Sequence, residues 1–233
     1  MARKAAPAPS ASPQSASIYV LAGCNGAGKS SIGGAALLES GREFYNPDEA
    51  ARQIAAANAG LVPPLTQAEI NGAAWEEGRR LLQQAIDKRL DFAFETTLGG
   101  QTMTELLEQA ALADLAVQVW FAGLADVDLH LERVRRRVAK GGHDIPEVKI
   151  RERFERGREN LIRLLPHLTA LRLYDNSAEA DPDTGAHPVA QLLLHCRDRR
   201  IVTPTSLKTL ATTPTWAKPI VAAALKLHLR QLR

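Results

Sequence analysis

The segment Gly23-Cys24-Asn25-Gly26-Ala27-Gly28-Lys29-Ser30 satisfies G-x-x-x-x-G-K-[ST] at every fixed position. No other feature of the chain restricts its fold as much. Glycines let the backbone curl until successive N–H groups point at one anion. A strand must deliver the chain into such a loop, and a helix must leave it so that its N-terminal dipole adds to the same site. The flanks supply both. Residues 18–23, IYVLAG, form a short apolar run that reads as a buried strand. Residues 31–40, SIGGAALLES, read as a helix closed by Gly41.

The rest of the chain alternates in the same way. Residues 42–46 read as a second strand and 48–60 as a helix ending at Gly60. Thr66 to Arg89 reads as a long helix, with Thr66 as cap and Glu69 completing a capping box. Strands are expected at 90–96, 115–123 and 170–177, and helices at 103–114, 127–139, 147–165 and 188–198. Strands that are short and apolar, each followed by a helix, imply a parallel sheet covered on both faces. The expectation is therefore a three-layer α/β fold with a five-stranded, mainly parallel sheet. Residues 1–16, rich in Ala, Pro and Ser, read as a disordered tail. The domain is expected over 17–200, with a lid at about 127–160. Residues 201–233 read as an extension, irregular and then helical, packed on that domain.

Lys plus Arg number 29 against 26 Asp plus Glu, a formal charge of +3 in 233 residues. So small an excess suits a phosphorylated ligand better than a nucleic acid, which is not expected as a partner. Cys24 and Cys196 stand alone without a CxxC pair, against a disulfide framework or a zinc site. No apolar run follows the early basic residues, and none reaches the length of a membrane span. A cytoplasmic protein without a membrane partner is expected.

In a loop of this type Lys29 brings a mobile charge to the β and γ phosphates, and Ser30 a hydroxyl to magnesium. Gly23, Asn25, Gly26, Ala27, Gly28 and Ser31 complete the ATP-binding set, and Cys24 fills a variable position. The guanine-reading NKxD is absent. At the end of the third strand, Glu95 is placed to face magnesium or the acceptor, or is simply a carboxylate at a strand end. Asp48 opens a helix; it is either a dipole-stabilised carboxylate or a base for an attacking hydroxyl. Arg133, Arg135, Arg136 and Arg137 cluster before Gly141-Gly142-His143, and Arg151, Arg153, Arg156 and Arg158 follow. Such a run is a solvated face or a lid hinged at the glycine pair, with two of the arginines on phosphate. Arg133 and Arg137 share a helix face. His143 reads as a hydrogen-bonding residue of the lid loop.

Taken in order, GCNGAGKS, NPDEAA, FETTL, RVRRRVAKGGHDIP with IRERFERGRENL, and LYDNS resemble the zeta toxin family of kinases from Gly23 to about Ser177. The resemblance implies a P-loop nucleotide-kinase-like fold, ATP and Mg2+ as cofactors, and transfer of the γ-phosphate to a hydroxyl of a sugar nucleotide such as UDP-N-acetylglucosamine. It implies Asp48 as the base, with Lys29 and Ser30 on phosphate and magnesium. Glu95 would face metal or substrate, and Thr96 and Thr97 would line the acceptor site. Arg137, or its neighbour Arg133, would be the lid arginine, Arg151 or Arg153 a second, and Asn176 would lie near the adenine. An antitoxin protein is the implied partner. Other acceptors stay open, among them an antibiotic, a nucleoside or a polynucleotide end, as do a nucleotide-driven binding protein with no acceptor and nucleic-acid attachment through the basic C-terminal helix.

Overall fold

The computed structural model describes residues 16–30, 32, 44–179 and 189–232. The tail expected over 1–16, apart from Ala16, the helix expected over 31–40 and the candidate Ser31 lie outside the described residues. Seven strands form one sheet in the order β2-β3-β1-β4-β5-β6-β7. They are β1 Ser17–Ala22, β2 Phe44–Tyr45, β3 Phe92–Thr96, β4 Ala116–Gly123, β5 Ala170–Asp175, β6 Gln191–Arg197 and β7 Arg200–Thr203. The first five pair in parallel, and β6 and β7 add an antiparallel hairpin beside β5. The expected parallel core is present, and the P-loop kinase-like α/β fold is the fold observed.

The helices are α1 Pro47–Ala57, α2 Gln67–Lys88, α3 Gln101–Leu112, α4 Val127–Ala139, α5 Glu147–Leu164, α6 Leu207–Ala211 and α7 Lys218–Arg230. The capping box at α2 forms in both directions, with Glu69 N–H donating to Thr66 Oγ1 at 3.3 Å and Thr66 N–H to Glu69 Oε2 at 2.8 Å. Ile70, Ala74, Gly78, Leu82 and Ile86 form the buried stripe of α2, spaced for one helix face. On β1, Ile18, Val20 and Ala22 point into the main core, with Phe94 of β3 and Val117, Val119 and Phe121 of β4 beside them. Helices α2, α3, α5 and α7 close over that face. A smaller core joins Cys24 of the loop to Leu131, Val134, Ile145 and Ile150 of the α4–α5 segment.

Three expectations need correction. Residues 191–197 are a strand, not a helix: Leu193 and Leu194 are buried and Leu173 of β5 pairs with Leu194. An apolar run of this length fits either period, and pairing with the open edge of β5 decides. The sheet accordingly has seven strands rather than five. The domain boundary placed at residue 200 would cut the sheet, since β7 continues it to Thr203. Beyond β7, Trp216 stacks on Phe121 with centroids 6.4 Å apart, and Ile220 is fully buried. The last segment completes the core.

Candidate active site

The loop of residues 23–30 leaves the C-terminal end of β1, between β3 and β4, where the crevice of an open parallel sheet lies. Gly23 donates its N–H to Thr96 O at 3.2 Å. Its φ is +141°, and a Cβ there would stand 2.3 Å from Ala122 O of β4. Gly26 has φ +82°, and a Cβ there would stand 2.8 Å from His130 O of α4. Only glycine fits either position.

Three side chains from outside the loop, and Lys29 within it, hold the loop's oxygens. His130 Nδ1 lies 2.8 Å from Asn25 O, Arg153 donates to Asn25 Oδ1 at 2.9 Å, and Asn176 Nδ2 donates to Ala27 O at 2.9 Å. Lys29 Nζ donates to Gly23 O at 3.0 Å. With its carbonyls turned outward and engaged, the loop presents its concave side as an anion nest. Lys29 is buried, and its ammonium lies 3.3 Å from Glu95 Oε1. The second oxygen, Glu95 Oε2, is buried and has no hydrogen-bond partner among the described residues.

A carbonyl only accepts, so the His130 contact fixes the proton on Nδ1 and leaves Nε2 as a buried, unpartnered acceptor. Burial lowers the imidazole pKa from 6.5 to about 4, assisted by Lys29 and Arg133 and opposed by the Asn25 contact and Asp126. Sequence reasoning missed His130. It sits on the buried stripe of α4 with Leu131 and Val134, where it reads as a core residue. Cys24 is also buried, and burial raises its thiol to about 11, so the thiolate is disfavoured at neutral pH.

A cleft of about 720 Å3 opens beside the loop, lined by Asn25, Lys29, Asp48, Glu95, Thr96 and Thr97 together with residues of α2 and α5. Asp48 stands in the first turn of α1, whose cap Asn46 accepts from Asp48 N–H at 2.9 Å and Glu49 N–H at 3.3 Å. Asn46 therefore does the capping, and the Asp48 carboxylate is left to face the cleft. Across from it, Arg137 Nη1 lies 3.8 Å from Asp48 Oδ2, and Arg137 Nη2 donates to His143 O at 2.9 Å. Thr96 and Thr97 hydroxyls accept from Leu98 N–H at 3.0 Å and Gly99 N–H at 3.4 Å, which sets the turn after β3.

The arginines divide by position. Arg153 lines the cleft and reaches the loop, whereas Arg137 meets Asp48 without itself lining the cleft. Arg133 instead holds the segment after β5, donating to Ala178 O at 3.1 Å and meeting Glu179 at 3.5 Å. Arg151 turns outward to Glu147 at 2.7 Å and Asp128 at 3.2 Å, outside the cleft lining. Of the two alternatives for the second arginine, the fold brings Arg153 to the loop and leaves Arg151 away. Gly141 at φ +84° and Gly142, whose N–H donates to Arg137 O at 3.0 Å, cap the end of α4. A Cβ on Gly142 would meet Arg137 Cγ at 2.6 Å, so this turn packs against Arg137.

Magnesium has a suitable donor set here. Ser30 is exposed just after Lys29, and Glu95 Oε2 is an unsatisfied hard oxygen. Among the described residues no group of three or more His, Cys, Asp or Glu side chains forms a cage. Few protein oxygens, with phosphate and water completing the shell, is the manner in which Mg2+ is held.

Comparison with known proteins gives the same outline. An uncharacterized protein of Haemophilus influenzae is 28% identical over 135 residues, 57% of this chain and 88% of that protein. The crystal structure of the AvrRxo1-ORF1:-ORF2 complex matches with a TM-score of 0.62 at 14% identity, covering 91% of this chain and 71% of that chain. The structure of that complex with ATP gives 0.61 at 14% identity, covering 91% and 64%. At such identity these structures speak for the fold. The zeta toxin family matches residues 2–181. With its phosphate loop and buried lysine in place, the chain belongs to the zeta toxin family and is an ATP-dependent phosphotransferase.

Proposed function

We propose that the protein transfers the γ-phosphate of ATP to a hydroxyl of a sugar nucleotide, UDP-N-acetylglucosamine being the family's best-known acceptor. The observation that carries the proposal is the single cleft in which Asp48 faces the Lys29–Glu95 pair. The loop amides and Lys29 hold the triphosphate. Asp48 orients the acceptor hydroxyl and takes its proton. Arg137, poised beside Asp48, stabilises charge on the transferring group. Ser30 and Glu95 would hold Mg2+, which would supply neutralisation of phosphate charge. Alignment in the cleft supplies the rest, and no covalent phosphoenzyme is required.

Two further linings favour a sugar nucleotide over a small uncharged alcohol. Trp75 of α2 is 44% exposed yet lines the cleft, where its face is available to a planar ring. Opposite, Lys149, Arg153 and Arg156 recur at helical spacing on α5 and line the same cleft, as an acceptor with its own phosphates would need. Thr96 and Thr97 border the acceptor end. An antitoxin protein is the partner that family membership suggests, and a cytoplasmic setting suits an ATP-consuming enzyme. No helix of the described residues is long and apolar enough to cross a membrane.

The test is incubation with Mg-ATP and a panel of sugar nucleotides, nucleosides and antibiotics, followed by mass detection of a phosphorylated product. Asp48→Asn is expected to lower transfer about 10²–10⁴-fold while Mg-ATP binding persists. Full transfer by that variant would remove Asp48 from the mechanism. Product only from a nucleoside or antibiotic would reassign the acceptor.

A further inference from the structure

Gly78 stands in the middle of α2, where glycine weakens a helix relative to alanine. The cause is a residue of β2. A Cβ on Gly78 would stand 2.7 Å from Tyr45 Cε1 and 3.2 Å from Tyr45 Cδ1. The ring therefore rests on bare helix backbone, and its hydroxyl donates to Ala74 O, one turn earlier. That carbonyl accepts from the amide four residues on, as in any helix, so the phenol adds a second bond to it. Burial, with Glu77 adding to it and the Gly78 backbone opposing, raises the phenol pKa above its ordinary value. The hydroxyl thus stays a donor at neutral pH.

This bond falls where α2 is otherwise weakly tied. Leu82, Ala85 and Ile86 belong to the main core, whereas Ile70 and Ala74 are buried outside it among the described residues. Helix α1, packed alongside, buries none of its own residues. In the first half of α2 Thr66 bonds Glu69, Gln67 bonds Asn71 and Arg79 bonds Glu76, all within the helix and its cap. Tyr45 instead ties that half to the sheet, pairing with Phe94 of β3 one residue before Glu95. The peptide group it grips joins Ala74 to Trp75, and Trp75, Asn71 and Tyr45 all line the cleft.

We propose that Tyr45 is a positioning residue for acceptor binding: its hydroxyl fixes the peptide unit that carries Trp75, and so sets the α2 wall of the cleft against the sheet. The role rests on the reading of that cleft as a sugar-nucleotide site. The cap of α1 is separate, because Asn46 holds it with its own side chain and Asp48 keeps its place without the phenol.

Tyr45→Phe keeps the ring and removes the bond. One such hydrogen bond shifts an equilibrium about two- to tenfold. KM for UDP-N-acetylglucosamine should rise by that factor, since only the fraction with its wall in place binds well. The effect should fall on KM rather than kcat, with the Kd of Mg-ATP by calorimetry unmoved. Hydrogen–deuterium exchange of the full chain reads the same bond without an acceptor. Amides of residues 67–78 should exchange about two to ten times faster, and those of 82–88 at the wild-type rate. Gly78→Ala separates the bond from helix propensity. Alanine by itself slows exchange in a helix; with the ring displaced, this variant should speed it and raise KM as Tyr45→Phe does. If the wild type phosphorylates no sugar nucleotide, the acceptor reading falls, and exchange alone then decides whether Tyr45 sets the wall. Unaltered exchange over 67–78 in Tyr45→Phe, faster exchange throughout the sheet, slower exchange in Gly78→Ala, or a loss carried by kcat would overturn the proposal.

Discussion

Replacing His130 by asparagine removes an imidazole while keeping a side-chain N–H near the position of Nδ1, the atom that faces Asn25 O. The variant therefore separates the hydrogen bond from the titration. In the folded chain the imidazole pKa falls from 6.5 to about 4, chiefly because the ring is buried. Between those values the unfolded chain binds a proton that the folded chain refuses. Stability consequently rises with pH across the window, and is lost as pH falls from about 6.5 to about 4. At about 1.4 kcal/mol per unit the single group accounts for about 3 kcal/mol. Urea unfolding of both proteins at intervals from pH 7 to pH 4 measures it. Wild type should lose about 3 kcal/mol more than His130→Asn. If the two proteins lose stability in parallel, the buried neutral ring is not what its surroundings imply.

Other consequences are as direct. Gly23→Ala puts a Cβ 2.3 Å from a β4 carbonyl; a loss of roughly 2–3 kcal/mol in unfolding free energy and of measurable Mg-ATP binding by calorimetry is expected. Trp216→Ala empties the slot over Gly123 and Phe121. It should cost about 3–5 kcal/mol by denaturation, less about 1 because the buried indole N–H lacks a partner among the described residues. Trp75→Ala should raise KM for a sugar nucleotide roughly two- to tenfold with kcat unchanged, a split read from steady-state kinetics. Cys24, its thiol near 11, should resist iodoacetamide at pH 8 in the folded chain and react once urea is added.

What could be read from the residues follows from how local each signal is. The phosphate loop, the α2 capping box and the parallel strands depend on neighbours within a few positions, and they form as expected. Asn46, rather than Asp48, caps α1, a distinction that changes what the Asp48 carboxylate is free to do and that needs φ at Asn46 to settle. The β6–β7 hairpin was illegible because its turn, Asp198-Arg199, lacks the usual glycine and its leucines suit a helix equally well. That Arg137 packs on Gly142 is likewise not visible in the sequence. The contacts of Asn25 with His130 and Arg153, 105 and 128 residues away, exist only once the sheet has ordered the chain.

Those distant clamps bear on when the enzyme becomes active during its own synthesis. The loop residues emerge early from a ribosome, but the strands on either side of β1 end at Thr96 and Gly123. The side chains gripping Asn25 and Ala27 come later still, at 130, 153 and 176. A half-made polypeptide thus carries the phosphate-binding letters without the means to spell them. Translation delivers competence late, once residue 176 has emerged.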